Sequence, residues 1–309
     1  MNTHSNLKLF LICGLCLCTG GLILLSILPL NSDCDCPNNI PGVSLKSKND
    51  IPSDTLTINS GSTHKLAILV PFRDRFDELL QFVPHITDFL RRQNVNHHIF
   101  VLNQVDRYRF NRASLINVGF LFTKLNFDHI AMHDVDLLPN NDKLIYKYPE
   151  KGPHHIASPE FHPKYHYETF VGGVLLVKRE HFQLMNGMSN RYWGWGLEDD
   201  EFYVRIKDAE LEVTRPKNIG TGVNDTFRHI HNRLHRKRDT QKCFNQKEVT
   251  RKRDRQTGLD TLQYNISGVT SLTINAIPIT VVNIILTCDM KTTPWCDCSG
   301  VAAAANAPT

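Results

Sequence analysis

Three short apolar runs, separated by helical patterns, constrain this chain more than any other feature. Lys65 to Val70 (KLAILV), His98 to Leu102 (HIFVL) and His129 to Met132 (HIAM) are continuous rather than alternating. A strand is apolar on both faces only when both are covered, so each run reads as a strand inside a layered sheet. A helical pattern follows Pro71-Phe72-Arg73-Asp74-Arg75 through about Arg92, with Pro84 expected to bend it. Arg112 to Leu125 forms a second helix whose Leu115, Val118, Leu121 and Leu125 share a face. Strand, helix, strand, helix, strand predicts an α/β domain on a parallel sheet. Ligands of such sheets lie beyond the carboxyl ends of the strands, where Arg73, Asn103 and Asp136 fall.

Further along, His154 to Ser158 and Phe170 to Val177 read as strands, and Arg179 to Asn186 as a short helix stopped by Gly187. Phe202, Ile206 and Ala209 line one helical face, Glu210 to Thr214 reads as a strand, and Thr270 to Ala276 with Ile279 to Leu286 form a hairpin-like pair around Pro278. A chain of 309 residues with 41% hydrophobic and 21% charged content can bury a sizeable core. Its net charge of only +4 points to no class of partner.

The amino-terminal stretch breaks the globular pattern. Leu7 to Leu30 is apolar or small apart from Lys8, long enough for the roughly 20 residues a bilayer demands. Lys8 and the amino terminus precede the apolar core, and Asp33 and Asp35 follow it, which predicts an uncleaved type II anchor with a cytoplasmic tail at 1–6. A cleaved signal peptide would have a shorter core and a small-residue cleavage site, not Leu28-Pro29-Leu30. Residues 31–62 are rich in Ser, Asn, Asp and Pro and read as a stem. A lumenal catalytic domain is expected over 63–299 and a disordered Ala-rich tail over 300–309. Cys34, Cys36, Cys243, Cys288, Cys296 and Cys298 follow the anchor, an even number suited to an oxidising compartment. The last four allow three pairings, and a bond within Cys296-Asp297-Cys298 would be strained. Of the two that remain, Cys288–Cys296 with Cys243–Cys298 is preferred. Asn224 and Asn265 begin glycosylation sequons.

Chemistry-bearing residues cluster in several places. Tyr192-Trp193-Gly194-Trp195-Gly196-Leu197-Glu198-Asp199-Asp200-Glu201 joins an aromatic loop to four consecutive acids. Acids alone would suit the first turn of a helix, but the tryptophans and hinge glycines suit a site that holds a sugar and takes a proton from it. Asp134-Val135-Asp136 puts two carboxylates on one side of an extended segment at a strand end, fit for a hard divalent cation and a nucleotide. His229-Ile230-His231 alternates likewise, and imidazole beside carboxylate favours Mn²⁺ over Mg²⁺. Arg73, Arg75 and Arg112 suit phosphate or carboxylate clamping. Tyr165 and Tyr167, with His162 and His166, suit stacking on a sugar or a base. Gly172-Gly173 would let backbone approach a ligand closely. The basic segment 228–255 suits an anionic glycan, a phosphate leaving group or an acidic peptide as readily as a solvated loop; nucleic acid is not expected in a lumenal compartment.

Five of these motifs, in this order, resemble the β-1,4-galactosyltransferases. They are Val70-Pro71-Phe72-Arg73-Asp74-Arg75, Phe110-Asn111-Arg112-Ala113, Asp134-Val135-Asp136, Phe170-Val171-Gly172-Gly173-Val174 and Trp193-Gly194-Trp195-Gly196-Leu197-Glu198-Asp199-Asp200. His229-Ile230-His231, Tyr165-His166-Tyr167 and Pro294-Trp295-Cys296 are similar to the members that galactosylate xylose on proteoglycan core proteins. The resemblance implies a GT-A, Rossmann-like fold in a Golgi type II membrane protein and inverting transfer from UDP-galactose. It implies Asp199 as general base on the xylose 4-hydroxyl, and Asp136, His229 and His231 as Mn²⁺ ligands. Pro71, Arg73, Arg75, Phe110, Arg112, Asp134, Val135 and Tyr165, with Trp195 and Glu198, would line the donor pocket. Tyr167, Trp195, Leu197, Asp199 and Asp200 would hold the acceptor, a xylosylated core protein. Leu197 departs from the Gly or Arg of relatives, which touches the outer acceptor contacts. An N-acetylglucosamine acceptor and a non-catalytic glycan-binding protein are the alternatives.

Overall fold

The computed structural model describes residues 43–46, 63–232 and 234–300. The expected anchor, the tail at 301–309 and Cys34 and Cys36 lie outside them, as does most of the stem. Among the described residues no helix is long and apolar enough to cross a membrane. In chain order the main elements are β1 (Val43–Lys46), β2 (Lys65–Phe72), α1 (Phe76–Arg92), β3 (Asn96–Gln104), α2 (Arg112–Thr123), β4 (His129–His133), β5 (Leu137–Pro139), β6 (His154–His155), β7 (Val174–Lys178), α3 (Arg179–Leu184), α4 (Glu198–Asp208), α5 (Val223–Thr226), β8 (Phe227–His229), α6 (Gln246–Val249), β9 (Tyr264–Ile274) and β10 (Ile277–Leu286).

One eight-stranded sheet runs β1-β9-β10-β3-β2-β4-β7-β6. Its middle, β10-β3-β2-β4, is parallel, while β7, β6, β9 and β1 join antiparallel. The sheet is therefore mixed, not the parallel sheet the strand–helix alternation suggests. A hairpin needs only a short turn, and Asn275 and Ala276, both at positive φ, supply it between β9 and β10. Pro278 lies beyond that turn, inside β10. Strand β1 falls within the stretch expected as stem, so those four residues belong to the sheet.

The apolar runs are buried on both faces, and consecutive residues feed two different cores. Leu66, Ile68 and Val70 pack with Leu79, Phe82, Val83, Ile86 and Phe89 of α1. Ala67 and Leu69 pack with Leu115, Ile116, Val118 and Phe120 of α2, and with Phe202 and Ile206 of α4. Each such side chain contributes about 1.5–3 kcal/mol of burial, so the sheet is clamped between layers. Helix α1 runs through Pro84 without stopping, with Asp77 and Glu78 in its first turn and Arg91 and Arg92 in its last, matching the macrodipole. The Asn111 side chain caps α2 by accepting the Ser114 N–H at 2.9 Å. That helix ends at Thr123, and Leu125 lies beyond it, 85% exposed, not on the apolar face. The expected strand at 210–214 is reduced to a single bridge between Thr214 and His154, and 156–158 leave the sheet after β6. Both disulfides form as expected, Cys243–Cys298 and Cys288–Cys296, with Cα atoms 5.9 and 5.8 Å apart.

Candidate active site

Beyond the carboxyl ends of β2 and β4 opens a cavity of about 920 Å³. Every side chain the sequence assigns to a donor, metal, acceptor or base role lines it. Pro71, Arg73 and Arg75 arrive from β2 and the turn after it, Phe110 and Arg112 from the start of α2, and Asp134, Val135 and Asp136 from the end of β4. Trp195, Leu197, Glu198, Asp199 and Asp200 come from the loop and first turn of α4. Tyr165, Tyr167, His229 and His231 close the rim. Asn103 does not join them, because its amide donates to Asn283 Oδ1 across β3 and β10.

The acidic turn is built on a strained approach. Gly194 (φ +78°), Gly196 (φ +102°) and Leu197 (φ +76°) take left-handed backbone just before α4, a conformation glycine adopts freely and leucine does not. Its two tryptophans have separate tasks. Trp193 is buried at 3% exposure, edge-on to Tyr108, whereas Trp195 is 42% exposed and faces the cavity. At Asp199, Arg112 Nη1 donates to Oδ1 at 2.9 Å, and Arg112 Nε donates to Asp134 Oδ1 at 2.9 Å. Burial pushes the Asp199 carboxyl up to about 7; Arg112 opposes the rise, and Glu198, Asp134 and Asp200 add to it. Desolvation and like charge thus outweigh the α4 macrodipole, which alone would keep Asp199 ionised. Burial also raises Glu198, and it raises Tyr167, which bonds Asp200.

On the opposite wall, His231 Nδ1 lies 3.1 Å from Asp136 Oδ2, and His229 Nε2 lies 3.8 Å from the same oxygen. The imidazoles stack with centroids 5.6 Å apart. Burial leads the influences on Asp136, but its bond to His231 and the charges of His229, His231 and Arg75 together hold its carboxyl below the ordinary range. Arg75 Nη1 stands 3.1 Å from His231 Nδ1. Among the described residues no group of His, Cys, Asp and Glu has the spacing of a formed metal centre; His231 bonds Asp136 instead, and His229 stands just beyond bonding distance of the same oxygen.

Sequence reasoning missed the segment that covers the cavity. The basic stretch is not a detached loop, since Arg236 pairs with Glu78, Arg238 donates to Tyr165 Oη at 2.8 Å and stands over Trp195, and Asp239 pairs with Arg109. The Asp239 carbonyl accepts the Trp195 N–H at 2.8 Å, tying cover to wall. A surplus of cations was the only signal in the sequence, and it gives no partners. The Gly172-Gly173 pair admits close approach, but what approaches is protein. A Cβ at Gly172 would meet Asp199 Oδ2 and the Phe170 ring.

A cavity at the carboxyl edge of an α/β sheet, lined by the half-buried Asp199 carboxylate and a carboxylate–imidazole cluster, has the make-up of a nucleotide-sugar transferase site. Residues 55–149 match the family described as the N-terminal region of glycosyl transferase group 7, and residues 152–231 match the N-terminal domain of galactosyltransferase. The chain belongs to the β-1,4-galactosyltransferase family. It is 63% identical to Drosophila melanogaster β-1,4-galactosyltransferase 7, over 98% of both chains. It is 49% identical to the Caenorhabditis elegans xylosylprotein 4-β-galactosyltransferase, over 76% of this chain and 83% of the relative. The crystal structure of the catalytic domain of Drosophila β-1,4-galactosyltransferase 7 in complex with xylobiose superposes with a TM-score of 0.76 at 72% identity, covering 76% of this chain and all of that one. A mutant of the same enzyme, in complex with manganese, UDP-Gal and xylobiose, has the same TM-score at 71% identity, with the same coverage. The expected GT-A fold is therefore the fold of this domain.

Proposed function

We propose that this chain transfers galactose from UDP-galactose, with inversion, to the 4-hydroxyl of xylose O-linked to proteoglycan core proteins. The observation that carries the reading is Asp199, held by Arg112 and pushed up to about 7 by burial, in one cavity with Asp136, His229 and His231. The known structures of the Drosophila relative supply the ligands, manganese, UDP-Gal and xylobiose.

Asp199 accepts the proton of the xylose 4-hydroxyl as that oxygen attacks the anomeric carbon. The bond from this carbon to the β-phosphate oxygen breaks, UDP leaves, and attack from the far face turns the α-linked donor into a β product. Trp195, with Tyr165 and Tyr167, supplies aromatic faces for the sugars. Arg75 and Arg112 offer cations to the phosphates, Arg73 holds the donor wall through its bonds to the Gln104, Asp106 and Tyr108 carbonyls, and Leu197 gives the acceptor an apolar edge, while Asp200 and Glu198 take hydroxyl bonds. Pro71, Phe110, Asp134 and Val135 wall the uridine. One carboxylate oxygen flanked by two imidazole nitrogens suits Mn²⁺, so Asp136, His229 and His231 would hold it. Bound there, Mn²⁺ supplies charge neutralisation for the diphosphate.

The chain is further proposed to be a single-pass type II Golgi membrane protein, anchored by 7–30 and carried on a stem over 31–62. Its catalytic domain spans 63–299, joined by residues 43–46 of the stem as strand β1, with a short tail after it. Asn224 and Asn265 are exposed and available for glycosylation. The test is turnover with an acceptor: Mn²⁺, UDP-galactose and a β-xyloside should yield galactosyl-β-1,4-xylose and UDP, and EDTA should stop it. Donor binding with no transfer would overturn the reading.

A further inference from the structure

The Asp199 carboxylate is held from two sides by residues whose shapes leave it little choice of position. On one side Arg112, only 12% exposed, spends Nη1 on Asp199 Oδ1 and Nε on Asp134 Oδ1, both at 2.9 Å. A guanidinium is a planar fork, so bonding two carboxylates at once fixes one relative to the other. On the other side, Oδ2 rests on the backbone of Gly172, close enough that any Cβ there would collide with it. That floor cannot retreat. The Gly172 carbonyl accepts from His155 Nε2 at 2.8 Å and from the Val174 N–H at 2.9 Å, and burial keeps His155 neutral. The next carbonyl, that of Gly173, accepts the Asp134 N–H at 2.9 Å. Asp134, Arg112, Asp199 and Gly172-Gly173 thus close a ring of contacts that runs from the nucleotide wall to the base.

We propose that Arg112 and Gly172 are positioning residues for the transfer: Arg112 holds Oδ1 of Asp199, and the missing side chain of Gly172 leaves Oδ2 the space from which it takes the acceptor proton. The proposal rests on Asp199 being the base. It gives Arg112 a task beyond its expected phosphate contact, and it explains glycine at 172, whose φ lies outside the left-handed region and so demands no glycine on backbone grounds. The groups facing Asp199 are Arg112 from α2, Glu198 and Asp200 from α4, and Asp134 after β4, with Tyr167 nearby through Asp200. Arg112 is the one cation in that set.

Two variants separate this from a donor-binding role. Gly172→Ala moves the carboxylate without changing any charge. It should lower kcat on the order of a hundredfold, as expected for a displacement near an ångström, with the KM for UDP-galactose unchanged. Arg112→Lys keeps a cation but loses the rigid fork, so it no longer fixes Asp199 relative to Asp134 and its hold on the base weakens. The acid limb of its kcat profile, at saturating donor, should move up by about one pH unit. A purely structural or phosphate-binding Arg112 would change the melting temperature or the donor KM and leave that limb in place; this result, or an unchanged kcat in Gly172→Ala, overturns the proposal. If Gly172→Ala fails to fold in a thermal melt, the Arg112→Lys profile decides alone. Asp199→Asn is run beside them. Full turnover in Asp199→Asn sinks the base assignment itself, whereas a dead Asp199→Asn with kinetically normal Gly172→Ala and Arg112→Lys sinks only the positioning claim.

Discussion

At the residue scale, the balance at Asp199 sets the pH behaviour. Desolvation is the largest influence on its carboxyl and raises it from the ordinary 3.8 to about 7 against the pull of Arg112. A base works when ionised, so kcat should fall as pH drops through about 7, and a pH–rate profile at saturating substrates checks this. The sign for stability is opposite. A carboxylate whose folded pKa lies above its unfolded one stabilises the fold least when ionised, so this residue's contribution declines as pH rises from about 4 towards 7. Asp199→Asn removes the proposed proton acceptor and should lower kcat by about 10²–10⁴-fold, while UDP binding, measured by calorimetry, persists. On the facing wall, His229→Ala leaves the proposed Mn²⁺ set one imidazole short. The Mn²⁺ concentration for half-maximal activity should rise by about tenfold or more, and an unchanged metal titration would remove His229 from the site.

At the scale of elements, the decisive unit is the loop that feeds α4. Its sequence announces an unusual backbone, since Gly194, Trp195 and Gly196 suit neither a core strand nor a plain turn. What the sequence cannot express is why Gly194 is required: a Cβ there would enter the Arg109 guanidinium, which also binds Asp239, the Gln246 side chain and the Trp295 carbonyl. Those partners lie up to 186 residues away from Arg109, so no local pattern carries them. Gly194→Ala, with φ at +78° as well as the collision, should cost about 1–3 kcal/mol, read as a lower midpoint in urea unfolding. The Cys243–Cys298 bond closes a 55-residue span over the same region. Its removal should cost about 4 kcal/mol by chain entropy, seen as a fall in melting temperature under reducing conditions. Buried runs, by contrast, were legible as strands, because KLAILV is apolar at every position whichever face is counted. The antiparallel sense of β7 was not, since strand direction depends on the connection and not on strand composition; that of β9 was, because its run and β10 read as a hairpin.

At the scale of the molecule, a layered sheet presents its strand ends as one edge, and the site lies on that edge. Arg73 and Asp136 were placed there by the rule for strand ends alone. Asn103 obeyed the same rule and was still spent on Asn283, because a strand end supplies position but not partners. The carboxylates and imidazoles were legible as motifs since short alternation puts their side chains together. The cover at 234–246 was not, since its meaning lies in contacts with Trp195, Tyr165 and Arg109. Taken whole, the cavity joins the Asp199 carboxylate, a carboxylate–imidazole set and the rings of Tyr165, Tyr167 and Trp195, which suits the proposed transfer between a donor and an acceptor. The most direct measurement is therefore an acceptor panel: the protein with Mn²⁺ and UDP-galactose, offered a β-xyloside or an N-acetylglucosaminide, with product identified by mass and linkage. The expectation is a galactosyl-β-1,4-xylose product and little or none on N-acetylglucosamine. Efficient transfer to N-acetylglucosamine with xylose untouched would contradict it.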